Sequence, residues 1–357
     1  MKLSNLSFIL TDDCNFRCSY CFQTKDKKYM NPASVEKAAR FFYPYLDSKS
    51  SIIFFGGEPL LSFDNIQHAV ALFSQLNQVE NKEISYYLTT NGSLVTPAIL
   101  HYFDQHKFDL MLSFDGFSQE SARHPDSLDS CRRLIEAVKN YPGIHFSTNS
   151  VFDHETVSTL SDSLQSIIEA GVTELLLSLS SIQPWSEAQL HTLEEQLEKL
   201  TAYMLDYYRQ HRIIPVTAFQ PRVKSGRFVC VAGHNRMNID PEEGLWGCHL
   251  FYDLLKERKE SDDFKGYSFG KLDDFILHHE TIYPKVMEYY ADLRQERFFT
   301  EEKFCFICKD VDTCSTCPVN AAYNTDMIGK IPLLLCRQNK IQHRVKQKFL
   351  KNLEQMT

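Results

Sequence analysis

Three cysteines fall within eight positions near the start of the chain, in "TDDCNFRCSYCFQ" (residues 11–23): Cys14, Cys18 and Cys21. Thiolates are soft ligands, and spacings this tight let one loop wrap a metal centre from consecutive turns. Closed structural zinc and iron–sulfur sites usually take four protein ligands, and this stretch offers three. A zinc site would pair these cysteines with a second pair a dozen or more residues away, and no such pair is near. Three thiolates on a four-iron cubane leave one iron open, and an open metal position can bind and polarise a small molecule.

The chain has eleven cysteines in 357 residues. Three lie at 14–21, one at 131 and seven between 230 and 336. The N-terminus "MKLSNLSFILTDD" lacks a signal-peptide core, and no run of apolar residues is long enough to span a membrane. A cytoplasmic protein is expected, and in a reducing compartment so many cysteines point to metal or redox chemistry rather than disulfides. Net charge is −8, which argues against a nucleic-acid binder. The two basic clusters, "KDKK" at 25–28 and "RVKQK" at 344–348, read as solvated faces.

These cysteines need a scaffold. Six apolar runs at 6–10, 51–55, 84–90, 109–114, 144–150 and 174–180 alternate with helical patterns at 33–46, 64–79, 96–106, 128–140 and 155–170. Six β-then-α units predict an α/β fold with parallel strands, a partial (β/α)6 TIM-like barrel or an open sheet. Ligands in such folds sit at the C-terminal strand ends, where the cysteine loop, "GGEP", "NG" and "DG" all fall. A long helix at 186–210 and a change of composition place a boundary near 215. The chain then divides into a barrel at 1–215 and a small cysteine-rich iron–sulfur domain at 216–357, ending in a helix near 337–353.

Cys14-x3-Cys18-x2-Cys21, with Tyr20 before the last cysteine, resembles the signature of the radical S-adenosylmethionine superfamily. The resemblance implies a four-iron cluster whose open iron chelates the amino and carboxylate groups of S-adenosylmethionine. Reductive cleavage of that molecule then yields a 5′-deoxyadenosyl radical that abstracts a substrate hydrogen. "FFGGEPLL" resembles the family's second-strand motif, with Gly56, Gly57 and Glu58 around the methionyl amino group. "SFDG" resembles the fourth-strand motif, which gives Ser113 a cofactor contact and Arg123 a carboxylate partner.

The later cysteines resemble the SPASM extension of peptide- and protein-modifying radical enzymes. Two spacings are each one residue short, Gly244 to Cys248 and Cys314 to Cys317. Carried over, Cys305, Cys308, Cys314 and Cys336 would hold one auxiliary four-iron cluster, and Cys230, Cys248 and Cys317 another. That makes three clusters in all. Cys131 reads as a helix-face hydrophobe. His249, in "WGCHLF", stands where anaerobic sulfatase-maturating enzymes carry an aspartate base, and sequences of this kind are more like maturases of ribosomal peptides.

The resemblance implies an oxidoreductase-type peptide maturase that makes a thioether or carbon–carbon crosslink in a precursor peptide. Sulfatase maturation, peptide epimerisation and a zinc-stabilised, non-catalytic module are the alternatives. Expected partners are the precursor peptide and a flavodoxin- or ferredoxin-like electron donor; with no ~80-residue module ahead of the first strand, leader recognition is expected from a separate leader-binding protein, from a short segment, or not at all.

Overall fold

The computed structural model describes the chain except residues 181, 222–229, 294–298, 301–303, 311–313, 315 and 357. Strands β1 (Leu3–Thr11), β2 (Leu46–Gly56), β3 (Glu83–Thr90), β4 (Phe108–Ser113), β5 (His145–Phe152) and β6 (Leu175–Leu179) are parallel neighbours in the order β6-β5-β4-β3-β2-β1. Each crossover carries a helix, as a parallel pairing requires. These are α1 (Pro32–Phe42), α2 (Phe63–Glu80), α3 (Pro97–Gln105), the single turn α4 (Gln119–Ala122) with α5 (Leu128–Val138), and α6 (Leu160–Glu169). Local signals start them: Asn31 caps α1 ahead of Pro32, and Thr96 caps α3 ahead of Pro97. The mixed α/β architecture with a parallel barrel-type sheet agrees with the sequence expectation.

One aromatic row locks the strands. Phe8, Phe54, Tyr86 and Phe108 stand on consecutive strands, with centroids 6.3, 6.4 and 5.4 Å apart. Phe73 of α2 and Phe103 of α3 pack on this row from the helix layer. All but Tyr86 are fully buried, and truncating any one of the phenylalanines to alanine would cost about 3–5 kcal/mol.

The sheet does not stop at the boundary expected near 215. After α7 (Glu187–His211), strand β7 (Arg236–Ile239) pairs in parallel with β1, from Asn5↔Arg236 to Phe8↔Ile239. Strands β8 (Gly244–Trp246) and β9 (Ser268–Lys271) extend the sheet in antiparallel fashion to nine strands. Helices α8 (His249–Leu255), α9 (Asp262–Tyr267), α10 (Leu272–Asp292), α11 (Pro318–Thr325) and α12 (Leu333–Glu354) follow. Sequence reading misses α10, whose apolar period is interrupted by Pro284 and by a non-helical His278.

Helix α12 lies parallel to α7. Arg337 pairs with Glu187, Arg344 with Glu194 and Lys348 with Glu198, each 150 positions apart. The basic cluster at 344–348 is thus the partner of an acidic helix face. Among the described residues no helix is long and apolar enough to cross a membrane.

Candidate functional site: three groups of thiols

The loop after β1 is closed at its base. Asp12 N–H and Thr11 Oγ1 both donate to Lys28 O (3.0 and 2.6 Å), and Met30 N–H donates to Leu10 O (2.8 Å). Within the loop, Cys21 N–H donates to Cys18 O and Phe16 N–H to Cys14 Sγ. The tip is tied to the barrel by Ser19 N–H on Ala122 O (2.8 Å) and by Phe16 stacked on His124 at 4.5 Å.

Burial pushes the Cys14 thiol upward and the Cys18 thiol up to about 11. Cys14 and Cys18 each feel a neighbouring Cys21 thiolate as a further upward push. Such a group is a poor set of free thiolates, and a cationic iron centre would compensate it. The residues present therefore fit a cluster.

"GGEP" is more than a turn. Gly57 N–H donates to Thr11 O (2.8 Å) and Glu58 N–H to Asp13 O (2.9 Å), which zips the end of β2 onto the base of the cysteine loop. Gly56 has φ +142°, and a Cβ there would stand 2.3 Å from Thr11 O; one on Gly57 would stand 2.1 Å from Asp13 O. The close approach that these glycines permit is thus toward the loop's own backbone.

Glu58 is 1 % exposed and accepts from Leu60 N–H (3.1 Å), Thr90 Oγ1 (2.8 Å) and Asn91 N–H (2.8 Å). Burial raises its pKa to about 7. Asn91, from the "NG" turn after β3, donates to Asn15 Oδ1 (2.9 Å) and so anchors the loop from a third strand. Sequence reading missed that contact; only the position of "NG" at a strand end pointed to it.

Arg123 grips Asp115 in two hydrogen bonds, Nε to Oδ2 and Nη2 to Oδ1, both 2.8 Å. The carboxylate partner expected for Arg123 is, in this structure, the chain's own Asp115, which is fully buried. Asp115 also accepts from Val151 N–H (2.8 Å) and from the Tyr20 hydroxyl, while the guanidinium lies 5.4 Å over the Tyr20 ring. The loop is thereby fixed at Tyr20. Asp115 was not singled out from the sequence, although "SFDG" contains it.

Ser113 ends β4 opposite Asn149 of β5. A cavity of about 320 Å³ opens just past the ends of β5 and β6, lined by Ser19, Tyr20, Asp153, His154, Ser180 and Gln183 among others.

Two of the later cysteines have other thiols as charge neighbours. Cys336, in the first turn of α12, has the thiols of Cys305, Cys308 and Cys314 as charge neighbours. Cys317, which precedes α11, has those of Cys248 and Cys230. Burial raises Cys336, Cys248 and Cys317, the last to about 11.

Among the described residues no three His, Cys, Asp or Glu side chains converge as one metal ion would need. His249 opens α8 with its ring against Phe55 (4.3 Å) and Nδ1 3.9 Å from Cys248 Sγ; burial lowers its pKa. Cys131 is buried in α5 and accepts from Gln119, and burial pushes its thiol up to about 12.

The Radical SAM superfamily matches residues 8–167. That match covers a little under half of the chain. It is 21 % identical over 276 residues to the radical SAM cyclopropyl synthase TigE of Paramaledivibacter caminithermalis, covering 69 % of this chain and 57 % of that protein. It is 27 % identical over 109 residues to the serine-type anaerobic sulfatase-maturating enzyme of Klebsiella aerogenes, covering 29 % of this chain and 27 % of that one. The chain thus spans less than two thirds of either relative.

Among solved structures, native anSMEcpe with bound AdoMet superposes with a TM-score of 0.78 at 17 % identity, over 98 % of this chain and 99 % of that one. Streptococcus suis SuiB bound to precursor peptide SuiA superposes at 0.59 and 17 % identity, over 92 % and 75 %. The fold is therefore shared with both across nearly the whole chain.

Proposed function

We propose that the protein is a radical SAM enzyme that modifies a peptide oxidatively. What supports this is the company the thiols keep: Cys18 has Cys14 and Cys21 as charge neighbours, Cys336 has Cys305, Cys308 and Cys314, and Cys317 has Cys248 and Cys230. Cys14, Cys18 and Cys21 would hold a four-iron cluster, with S-adenosylmethionine on its open iron. Cys305, Cys308, Cys314 and Cys336 would hold a closed auxiliary cluster, and Cys230, Cys248 and Cys317 a second one through three thiolates, its fourth position left to another ligand or open.

When bound and reduced, the first cluster supplies the electron that cleaves S-adenosylmethionine. The chain's part is positional. Gly56, Gly57 and Glu58 brace the loop from β2, with Asn91 from β3. Tyr20, which lines the cavity, is held by Asp115 and Arg123. Net oxidation of a substrate needs an electron acceptor, which auxiliary clusters provide and a simple hydrogen exchange does not need. That favours a crosslink or dehydrogenation over epimerisation. The anSMEcpe and SuiB structures with bound peptides, named for the Cp18Cys peptide and SuiA, support a peptide substrate. A cytoplasmic location and a flavodoxin- or ferredoxin-like donor belong to this reading.

The test is iron and sulfide analysis of anaerobically reconstituted protein, followed by S-adenosylmethionine with dithionite. About twelve irons per chain and formation of 5′-deoxyadenosine are expected from three four-iron clusters. Zinc without iron would end the reading. A second reading, formylglycine formation, is favoured by the near-complete superposition on anSMEcpe. An aldehyde formed on a cysteine-containing sulfatase-type peptide would select it over the first.

A further inference from the structure

The two stems of the Cys14–Cys21 loop meet one helix. On the leading stem, Asp12 Oδ2 accepts from the Tyr252 hydroxyl at 2.6 Å, and Asp12 Oδ1 lies 3.5 Å from Lys256 Nζ. On the trailing stem, Thr24 O accepts from Lys256 Nζ at 3.2 Å, and Gln23 Nε2 donates to Asp253 Oδ2 at 3.3 Å. Tyr252 and Lys256 are four positions apart on α8 and its last turn, so they share a face, and Lys256 lies 4.8 Å over the Tyr252 ring. The ammonium also lies 3.5 Å from Asp253 Oδ1. Asp12, Tyr252, Asp253 and Lys256 are all at least nine-tenths buried. One buried cation thus stands between two buried carboxylates, one on the loop stem and one on the helix.

The same helix starts at the residue after Cys248, which belongs to the Cys230, Cys248 and Cys317 group. More than 220 residues of chain separate α8 from the loop that it grips. An apolar contact would hold α8 against the barrel with less desolvation cost. A buried ionic contact adds geometric definition, because its partners must keep their places or be left uncompensated.

We infer that Lys256 and Tyr252 are positioning residues that clamp the stems of the Cys14–Cys21 loop and register it against the Cys248 group. Neither touches a thiol in this arrangement; each acts through Asp12 or Thr24. The clamp rests on the proposed function above in one respect, that the loop carries the cluster on which S-adenosylmethionine binds.

The test compares the parent chain with Lys256→Met, which removes the charge and keeps the unbranched stem, with Lys256→Arg, which keeps the charge, and with Tyr252→Phe. Hydrogen exchange is read on the full-length chain before and after reconstitution. Backbone amides of residues 12–24 should exchange at least tenfold faster in K256M and severalfold faster in Y252F, while β4 and β5 keep their protection. In the reconstituted protein the KM for S-adenosylmethionine should rise at least fivefold in K256M with iron content unchanged. The change that S-adenosylmethionine makes in the electron paramagnetic resonance spectrum of the reduced cluster should weaken. K256R should restore both to within twofold.

Unchanged exchange over 12–24, or equal loss of protection in β4 and β5, would overturn the clamp and leave ordinary packing. Should K256M fail to fold, Y252F carries the exchange measurement with the same criterion. A parent chain that does not cleave S-adenosylmethionine would sink the proposed function, while the exchange data would still decide the clamp.

Discussion

The two cysteine-bearing regions are built in opposite ways. The first gathers three thiols from eight consecutive residues, and its difficulty is not proximity but rigidity. A loop without regular structure must be braced, and the chain does this from four directions: Gly57 and Glu58 of the β2 end, Asn91 after β3, Ala122 beside Arg123, and α8 with its buried lysine. The second region gathers thiols from Cys230 to Cys336, and its difficulty is proximity itself. There three of the seven cysteines sit at helix starts, Cys248 before α8, Cys317 before α11 and Cys336 in the first turn of α12, so that their separation depends on where those helices lie. A local motif needs tertiary structure for stiffness, whereas a dispersed one needs it for existence.

The largest expected effect tests that contrast. Cys18→Ala should abolish S-adenosylmethionine cleavage, a loss of at least about a thousandfold in 5′-deoxyadenosine formed. About eight of about twelve irons should remain if each group holds a four-iron cluster. Cys336→Ala should do the reverse, losing about four irons while S-adenosylmethionine cleavage stays within about tenfold of the parent. Equal iron loss from both variants would mean that the regions are not independent.

Next comes the brace at the β4 end. Arg123→Met leaves Asp115 buried without its counter-ion, and removing one partner of a buried pair costs about 3–5 kcal/mol. The urea midpoint should fall accordingly, and the loop should suffer with it because Tyr20 shares Asp115. A midpoint unchanged within error would show that Asp115 finds another partner.

Glu58 gives a smaller, pH-dependent effect. Its folded pKa is raised from 4.5 to about 7, so the folded chain binds a proton more tightly than the unfolded chain. By linkage, stability is greatest below pH 4.5, declines as pH rises through the window to about 7, and is flat above it. The full swing is on the order of 3 kcal/mol. Glu58→Gln should flatten this part of the stability profile, measured as urea midpoint against pH, and a persistent slope would assign it to another group.

The smallest effect belongs to the exposed ladder between α7 and α12. Lys348→Ala should cost less than about 1 kcal/mol, since both partners are about half exposed or more. It serves as the control against which K256M is read, lysine for lysine.

Most of the barrel was legible because its signals are local. Alternating apolar runs and caps such as Asn31 and Thr96 determine strands and helices within a few residues, and all six strand positions agree with the structure. The loop was legible for the same reason, since eight residues state its chemistry. The helix α10 was not, because Pro284 and the break at His278 interrupt its period. Nor was the continuation of the sheet through β7, a four-residue strand whose partner β1 lies more than 220 residues earlier.

By itself the sequence determined which residues are thiols, where a loop can wrap a metal and which glycines stand at strand ends. Only the tertiary structure decided that Gly56 and Gly57 yield space to the loop's own backbone and that Arg123 is spent on Asp115. It also gave the Cys317 thiol Cys248 and Cys230 as charge neighbours, from far away in the sequence. The physical reason is the same in each case. Type and spacing act along the chain, whereas desolvation, charge pairing and steric exclusion act through space, between groups that the folded backbone alone brings together.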